Sequence, residues 1–385
     1  MADKQWVVSV PALTVVRRTM DAPELKEIFG LDELPFMEAD AQLTIEGVPT
    51  AVANALRRVI TDEDVGYALQ VVPNARDSEQ TTDPFMMPGY VTGRIRDIPV
   101  CQSAGSMAPA DLRFKLFAHN DSGAPLIVYT GSITVSAGAL TKPLFNPTIE
   151  LATLQQGQTL SFEEMRIGSG TGATGAGFQI ACRTALRHLD IPQHTDAEMR
   201  QMSGVAVDRS GYHGTSMCSD PRRHVIRLSL PATPADAYSE VRSVLVSATI
   251  HIQTNLSVVA AAVAPVVSAD SDISAWVDPD PVRPLPGRAP LHFAPAQFSE
   301  VPLADGRYEG VLRIPGGTHT IGELLRRAVF DCLPTNSLVT YVINPQENVL
   351  TLTVCATQPV AALIAAGAAM AASTFGAIRA AILAL

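Results

Sequence analysis

Apolar and polar side chains alternate from Ala41 to Glu46. Ala41, Leu43 and Ile45 are separated by Gln42, Thr44 and Glu46, a period of two that predicts a half-buried strand. Gly47 then turns the chain, and Pro49 suits the first turn of a helix. Beyond it the apolar period lengthens: Val52, Leu56 and Val59 share one helical face, and Arg57 and Arg58 stand near the helix end, where cations suit the macrodipole. The pattern returns in the last quarter of the chain. Residues 45–60 read Ile-Glu-Gly-Val-Pro-Thr-Ala-Val-Ala-Asn-Ala-Leu-Arg-Arg-Val-Ile, and residues 314–329 read Ile-Pro-Gly-Gly-Thr-His-Thr-Ile-Gly-Glu-Leu-Leu-Arg-Arg-Ala-Val. Ile45 with Ile314, Gly47 with Gly316, Leu56 with Leu325, Arg57 with Arg326 and Arg58 with Arg327 coincide in one ungapped frame. In the second copy Ile321, Leu324, Leu325 and Ala328 supply the apolar helix face.

Each copy is followed by a longer apolar helix. Thr233-Pro234-Ala235-Asp236 reads as an N-cap, a first-turn proline and an early acid. Val241, Val244, Leu245, Ala248, Ile252, Leu256, Val259 and Val263 then recur at spacings of three and four, and Pro265 ends the helix. Val360–Leu385 is alanine-rich, with Arg379 its only charge. Its bulky residues Leu363, Ile364, Met370, Phe375, Ile378 and Ile382 form a stripe that also carries Gly367 and Thr374. A one-sided stripe predicts a helix packed on another helix; the length alone would also permit a membrane crossing, which takes about 20 apolar residues. The stripe residues Val241, Leu245, Ala248, Ile252, Leu256, Val259, Leu363, Met370, Phe375, Ile378 and Ile382 are expected to face one another across an internal, dimer-like interface.

These patterns predict an α+β fold with two similar units in pseudo-two-fold arrangement. The first unit comprises residues 1–65 and 225–264, and the second 297–385. Residues 66–224 form an insert whose alternating runs (Phe114, Leu116; Ile127, Tyr129; Ile133, Val135; Ile149, Leu151; Leu160, Phe162) predict mostly β structure. Pro279, Pro281, Pro284, Pro286, Pro290 and Pro295 mark residues 265–296 as a linker.

Composition sharpens this picture. With 28 Lys and Arg against 38 Asp and Glu in 385 residues, the net charge is −10, which argues against autonomous binding of a nucleic-acid backbone. Only 17% of residues are charged and 47% are apolar, so burial against partners is expected. Cys101, Cys182, Cys218, Cys332 and Cys355 are scattered and lack a C-x-x-C pair, the pattern of reduced thiols. Met1-Ala2-Asp3-Lys4 has no signal-peptide pattern.

Catalytic motifs are weak. Gly168-Ser-Gly-Thr-Gly-Ala-Thr-Gly-Ala-Gly177 could cradle a phosphate in a stand-alone nucleotide-binding enzyme, but no Gly-Lys-Ser/Thr follows. The sets His213, Cys218, His224 and Cys182, His188, His194 lack structural-zinc spacing and a fourth ligand. Ser216 beside His213 forms no nucleophile elbow, and Asp278 and Asp280 sit among prolines as solvated linker residues. No metal and no cofactor is expected.

Ala53-Asn54-Ala55-Leu56-Arg57-Arg58-Val59 resembles the signature of the assembly-platform subunits of multisubunit DNA-dependent RNA polymerase: bacterial alpha, archaeal D and the eukaryotic third subunit. Tyr90-Val-Thr-Gly-Arg-Ile-Arg-Asp-Ile-Pro-Val100 is similar to that family's Phe-Ile-Ala-His-Arg-Leu-Gly-Leu-Ile-Pro-Leu, departing at Gly93, Arg96 and Asp97. Gly157-Gln-Thr-Leu160 resembles the return from the insert domain. His319-Thr-Ile-Gly-Glu-Leu-Leu-Arg326 and Tyr341-Val-Ile-Asn-Pro345 are similar to the small partner subunit, eleventh in eukaryotes and L in archaea. Both in one chain, in this order, resemble the fused subunit of large nucleocytoplasmic DNA viruses.

The resemblance implies a non-catalytic platform on which the two largest subunits assemble, with a small alpha-adjacent subunit as further partner. It implies no direct sequence-specific nucleic-acid binding and no membrane. Arg57, Arg58, Arg326 and Arg327 would make the large-subunit contacts, with Asn54 and Arg94 in support. The implied location is a viral factory in the host cytoplasm, with the virion and host nucleus as further sites. Relatives that bind a metal do so through a cysteine cluster in the insert, which this chain lacks.

Overall fold

The computed structural model describes residues 6–18, 37–72, 80–83, 89–106, 108, 110–140, 143–189, 222–233, 235–264, 295–333 and 337–385. In chain order the strands are β1 (Ser9–Arg18), β2 (Met37–Glu46), β3 (Val65–Val71), β4 (Gln80–Thr81), β5 (Arg113–His119), β6 (Leu126–Tyr129), β7 (Ile133–Ala137), β8 (Glu150–Leu154) and β9 (Thr159–Thr171). They continue with β10 (Arg183–His188), β11 (Arg223–Ala232), β12 (Gln297–Pro302), β13 (Tyr308–Pro315), β14 (Leu338–Asn344) and β15 (Val349–Ala356). The helices are α1 (Thr50–Arg58), α2 (Tyr90–Arg96), α3 (Gln102–Ser106), α4 (Ala237–Val263), α5 (His319–Cys332) and α6 (Val360–Ala384).

Two four-stranded antiparallel sheets have the same plan. The first runs β1-β2-β11-β10 and the second β12-β13-β15-β14. In each, the second strand leads through a glycine into a Leu-Arg-Arg helix, α1 or α5, and the third leads into a long apolar helix, α4 or α6. The glycines are needed for their backbone: Gly47 has φ +82° and Gly316 φ +70°. At Gly47 a Cβ would also lie 1.8 Å from the Val7 carbonyl oxygen, so the approach of the N-terminal segment excludes any side chain there.

Alternation along β2 buries Ala39, Ala41, Leu43 and Ile45, and along β15 Leu350, Leu352, Val354 and Ala356. Both sets, with α1, α4, α5 and α6, belong to a single continuous core. The two sheets therefore share their hydrophobic interior. A second core holds β3, parts of β5, β8 and β9, and the buried Val91 and Ile95 of α2. Strands β3, β9, β5 and β7 form one sheet, β4 pairs with β9, and β6 pairs with β8. This β-rich body spans residues 65–171, while β10, in the stretch expected to be insert, hydrogen-bonds to β11 and completes the first sheet.

Several local expectations shift. α1 continues into a π-helical turn, Val59–Glu63, and α5 runs five residues past Arg327, so the second Arg pair sits in mid-helix, where the C-terminal dipole gives it no special support. α4 starts at Ala237, with Asp236 as N-cap and the Thr233 hydroxyl 3.1 Å from its carboxylate. Residues 265–294, most of the expected linker, lie outside the described residues.

Candidate assembly interface

α1 and α5 pack against each other, and a cleft of about 210 Å³ opens at their junction. Ala51, Asn54, Ala55 and Arg58 of α1 line one side; His319, Thr320 and Glu323 of α5, with Tyr341 of β14, line the other. The buried Thr320 hydroxyl donates to the carboxylate of Glu63, at the end of the π turn, which ties the two helices together. His319 Nδ1 lies 3.4 Å from the Tyr341 hydroxyl, and their rings meet edge-on.

Helical spacing puts Asn54 and Arg57 three residues apart, and Arg57 Nε donates to Asn54 Oδ1 at 3.0 Å. Burial, and then the charge of Arg58, lower the Arg57 pKa from its ordinary value, with Asp62 partly opposing. Arg58 Nε is buried and has no hydrogen-bond partner among the described residues. The second pair differs. Arg326 makes two hydrogen bonds to Glu323, at 2.9 and 2.6 Å, and Arg327 Nε lies 3.3 Å from Asp331, which also accepts from Trp6 Nε1 at 2.9 Å. The same Arg-Arg dipeptide is thus neutralised by its own helix in one copy and left with surplus positive charge in the other.

Arg94 lies elsewhere, on α2 of the second core, with its guanidinium 5.8 Å from the centre of the Tyr90 ring. The stripe residues come together: Val241, Leu245, Ala248, Ile252, Leu256 and Val259 of α4 and Leu363, Met370, Phe375, Ile378 and Ile382 of α6 are all buried in the first core. α4 and α6 pack along one another, and Gln253 Nε2 donates to the Ala372 carbonyl at 3.1 Å. Both are long and apolar enough to cross a membrane, and 50% and 61% of their most apolar stretches are buried inside the protein. Gly367 allows a close crossing of α6 over α5, since a Cβ there would lie 2.9 Å from the Val329 nitrogen.

The glycine-rich run is no phosphate cradle. Gly168 and Gly170 are in β9, and a Cβ on Gly172 would lie 2.1 Å from the Thr61 carbonyl oxygen, and one on Gly177 1.9 Å from that of Arg96. Gly172 and Gly177 let backbone meet backbone, Gly168 and Gly170 make room for Gln70 and Phe178, and the nucleotide-binding alternative loses its motif. His188 and His224, from the two different histidine–cysteine sets, pair with each other instead, Nδ1 to Nδ1 at 2.9 Å, while His224 Nε2 donates to the Val48 carbonyl at 2.9 Å. The remaining candidates His194, His213, Ser216, Cys218, Asp278 and Asp280 lie outside the described residues. Among the described residues no group of three or more His, Cys, Asp or Glu could hold a metal ion. Sequence reading had no means of finding the cleft itself, because His319 and Tyr341 become neighbours of α1 only through tertiary packing.

These features define a class: an α+β chain with two like sheets over one core and a guanidinium-bearing cleft where their short helices meet. No family model matches the chain. It is 30% identical over 332 residues to the DNA-directed RNA polymerase RPB3-11 homolog of African swine fever virus, isolate Tick/Malawi/Lil 20-1/1983, covering 86% of this chain and 83% of the relative. The protein of the same name from strain Badajoz 1971 Vero-adapted matches with the same identity and coverage. The chain belongs to this family of viral RPB3-11 homologs and is an RPB3/RPB11-like subunit of a DNA-directed RNA polymerase.

Proposed function

We propose that the chain is the assembly platform of a viral RNA polymerase, acting in the infected cell at the viral factory and carried into the virion. Residues 1–65 and 225–264 serve as the third-subunit-like unit, 66–224 as its insert, 265–296 as the connection, and 297–385 as the eleventh-subunit-like unit. The partners are the two largest subunits and a small alpha-adjacent subunit, and no membrane is involved. The observation that carries this reading is the Arg57–Arg58 pair beside the α1–α5 cleft, in which Arg57 is held by the neutral Asn54 and Arg58 Nε is buried with no partner among the described residues. A partly desolvated guanidinium without a partner costs stability, and a carboxylate or carbonyl from another subunit offsets that cost with charge-assisted, bidentate bonds.

Replacing Arg57 and Arg58 with alanine is expected to leave the chain folded and to weaken capture of the large subunits about tenfold or more, the effect of losing one or two charge-assisted hydrogen bonds. Replacing Arg326 and Arg327 should have a smaller effect, because their carboxylate partners already occupy them. Co-purification from infected cells reads both. Full recovery of the large subunits with the Arg57/Arg58 variant would remove this contact from the assembly.

A further inference from the structure

The face of the first sheet opposite the shared core carries arginines on its β10–β11 side. Arg183 pairs with Ser229, Ala185 with Arg227 and Arg187 with Val225 in the antiparallel ladder, so these side chains share one face. Arg223, two residues before Val225, is on the same face. The other face of the two strands holds Leu186, Ile226 and Leu228 against the core. Diagonal neighbours in such a ladder are about 7–8 Å apart. Arg183, Arg227, Arg187 and Arg223 therefore form a zigzag in which each step is one diagonal.

Three of the four guanidiniums are unused. Arg223 Nε lies 2.9 Å from Glu46, and Asp40 of β2 accepts a hydrogen bond from Ser229. Arg183, Arg187 and Arg227 are exposed and make no ion pair or hydrogen bond among the described residues. Charges on edge strands commonly guard against edge-to-edge pairing. That accounts for Arg183 and Arg187 on β10 but not for Arg227 and Arg223, because β11 lies inside the sheet.

We propose that this zigzag docks an extended acidic segment of another polymerase subunit. A chain lying along β10 presents alternate side chains about 6.6–6.8 Å apart. Carboxylates at three successive alternate positions would face Arg183, then Arg227 across the small Ala185, then Arg187. Ala185 leaves the second carboxylate a path to the guanidinium one strand further in. A nucleic-acid strand fits less well: the basic stripe is two strands wide, has Glu46 and Asp40 directly beside it, and belongs to a chain of net charge −10. Among the described residues of β10 and β11, none on this face is an aromatic on which bases would stack. This surface is separate from the α1–α5 cleft, and the two readings stand or fall independently.

The test is fluorescence anisotropy of the full chain with two labelled probes, decaglutamate and decauridylate, at about 0.15 M salt, where long-range attraction is largely screened. Decaglutamate should bind more tightly than decauridylate. R183E/R187E/R227E should weaken its binding about tenfold or more, a change of about 1.4 kcal/mol per tenfold. R183K/R187K/R227K should retain part of it, since lysine keeps the charge but not the planar fork. R313A, which removes an exposed arginine from the second sheet, should leave it unchanged, which separates this surface from exposed arginines elsewhere. If charge reversal alters the circular dichroism or melting temperature, R183Q/R187Q/R227Q must give the loss instead. The proposal is overturned if the unaltered chain ignores decaglutamate, if these variants bind it as well as the unaltered chain does, or if decauridylate binds more tightly.

Discussion

At the residue scale, one dipeptide in two settings shows how little a motif specifies by itself. Arg326 and Arg327 have acids at i−3 and i+4, Glu323 and Asp331, and the helix satisfies them. Arg57 has Asn54 at i−3, a neutral acceptor that leaves its charge intact. The difference was readable in the sequence as Glu323 against Asn54. Its meaning was not, because it depends on how far each guanidinium is buried. The cysteines offer a parallel contrast. Burial, and then the negative charge of Glu240, push the Cys101 thiol above its ordinary pKa, while Cys182 is exposed. A thiol-titrating reagent near pH 8 should label Cys182 at once and reach Cys101 only when the protein unfolds; equal rates would contradict the buried, neutral thiol. The stabilisation from keeping Cys101 protonated is fully present below the unfolded thiol's pKa of about 8.5. It is lost as pH rises through the higher folded value. Urea midpoints at neutral and alkaline pH, with and without Cys101→Ala, measure it.

At the scale of elements, periodicity revealed most of the scaffold. β2, α1, α4, α5 and α6 follow patterns that a half-buried strand or a one-sided helix must show. β1 escaped because Pro11 interrupts an apolar run; in the structure Pro11 sits where the register to β2 shifts, on an edge strand that tolerates a missing donor. The place of β10 in the first sheet was equally hidden, since pairing across a long stretch of chain leaves no local periodic trace. In the cleft, Asn54, Arg58 and His319 stood inside recognisable motifs, whereas the contribution of Glu63 depends on a π turn that no local pattern announced. α6 itself is secured in its first turn and along its length. Glu300 of β12 accepts from the Ala361 nitrogen in its first turn at 2.9 Å, and Phe375 near its middle is fully buried. Truncating Phe375 to alanine should cost about 3–5 kcal/mol, the usual range for a large buried aromatic. Because α4 and α6 share one core, the loss should appear as a lower midpoint of the main urea transition. A transition confined to the second half of the chain would mean that the two halves fold separately.

At the scale of the whole molecule, the shared core makes a sharper prediction than either sheet does. With a site-specific protease sequence placed in residues 265–296 and cut, the two fragments should co-elute on gel filtration in native buffer, held by the α4–α6 contact. Separation into two folded pieces would show that the covalent connection, rather than the core, keeps them together. A helix as rich in alanine as α6 offers its partner few bulky or polar features by which to refuse the wrong mate. Free subunits need such features, because specificity is a difference between the intended pairing and its competitors. Here the intended mate is part of the same chain, so the pairing is intramolecular, and each ribosome delivers both halves in equal number. Fusion thus relieves the helix surface of discriminating self from partner. It also leaves each half free to diverge in what it shows the rest of the polymerase, as the two arginine pairs do, one held by carboxylates and the other with only a neutral amide on Arg57.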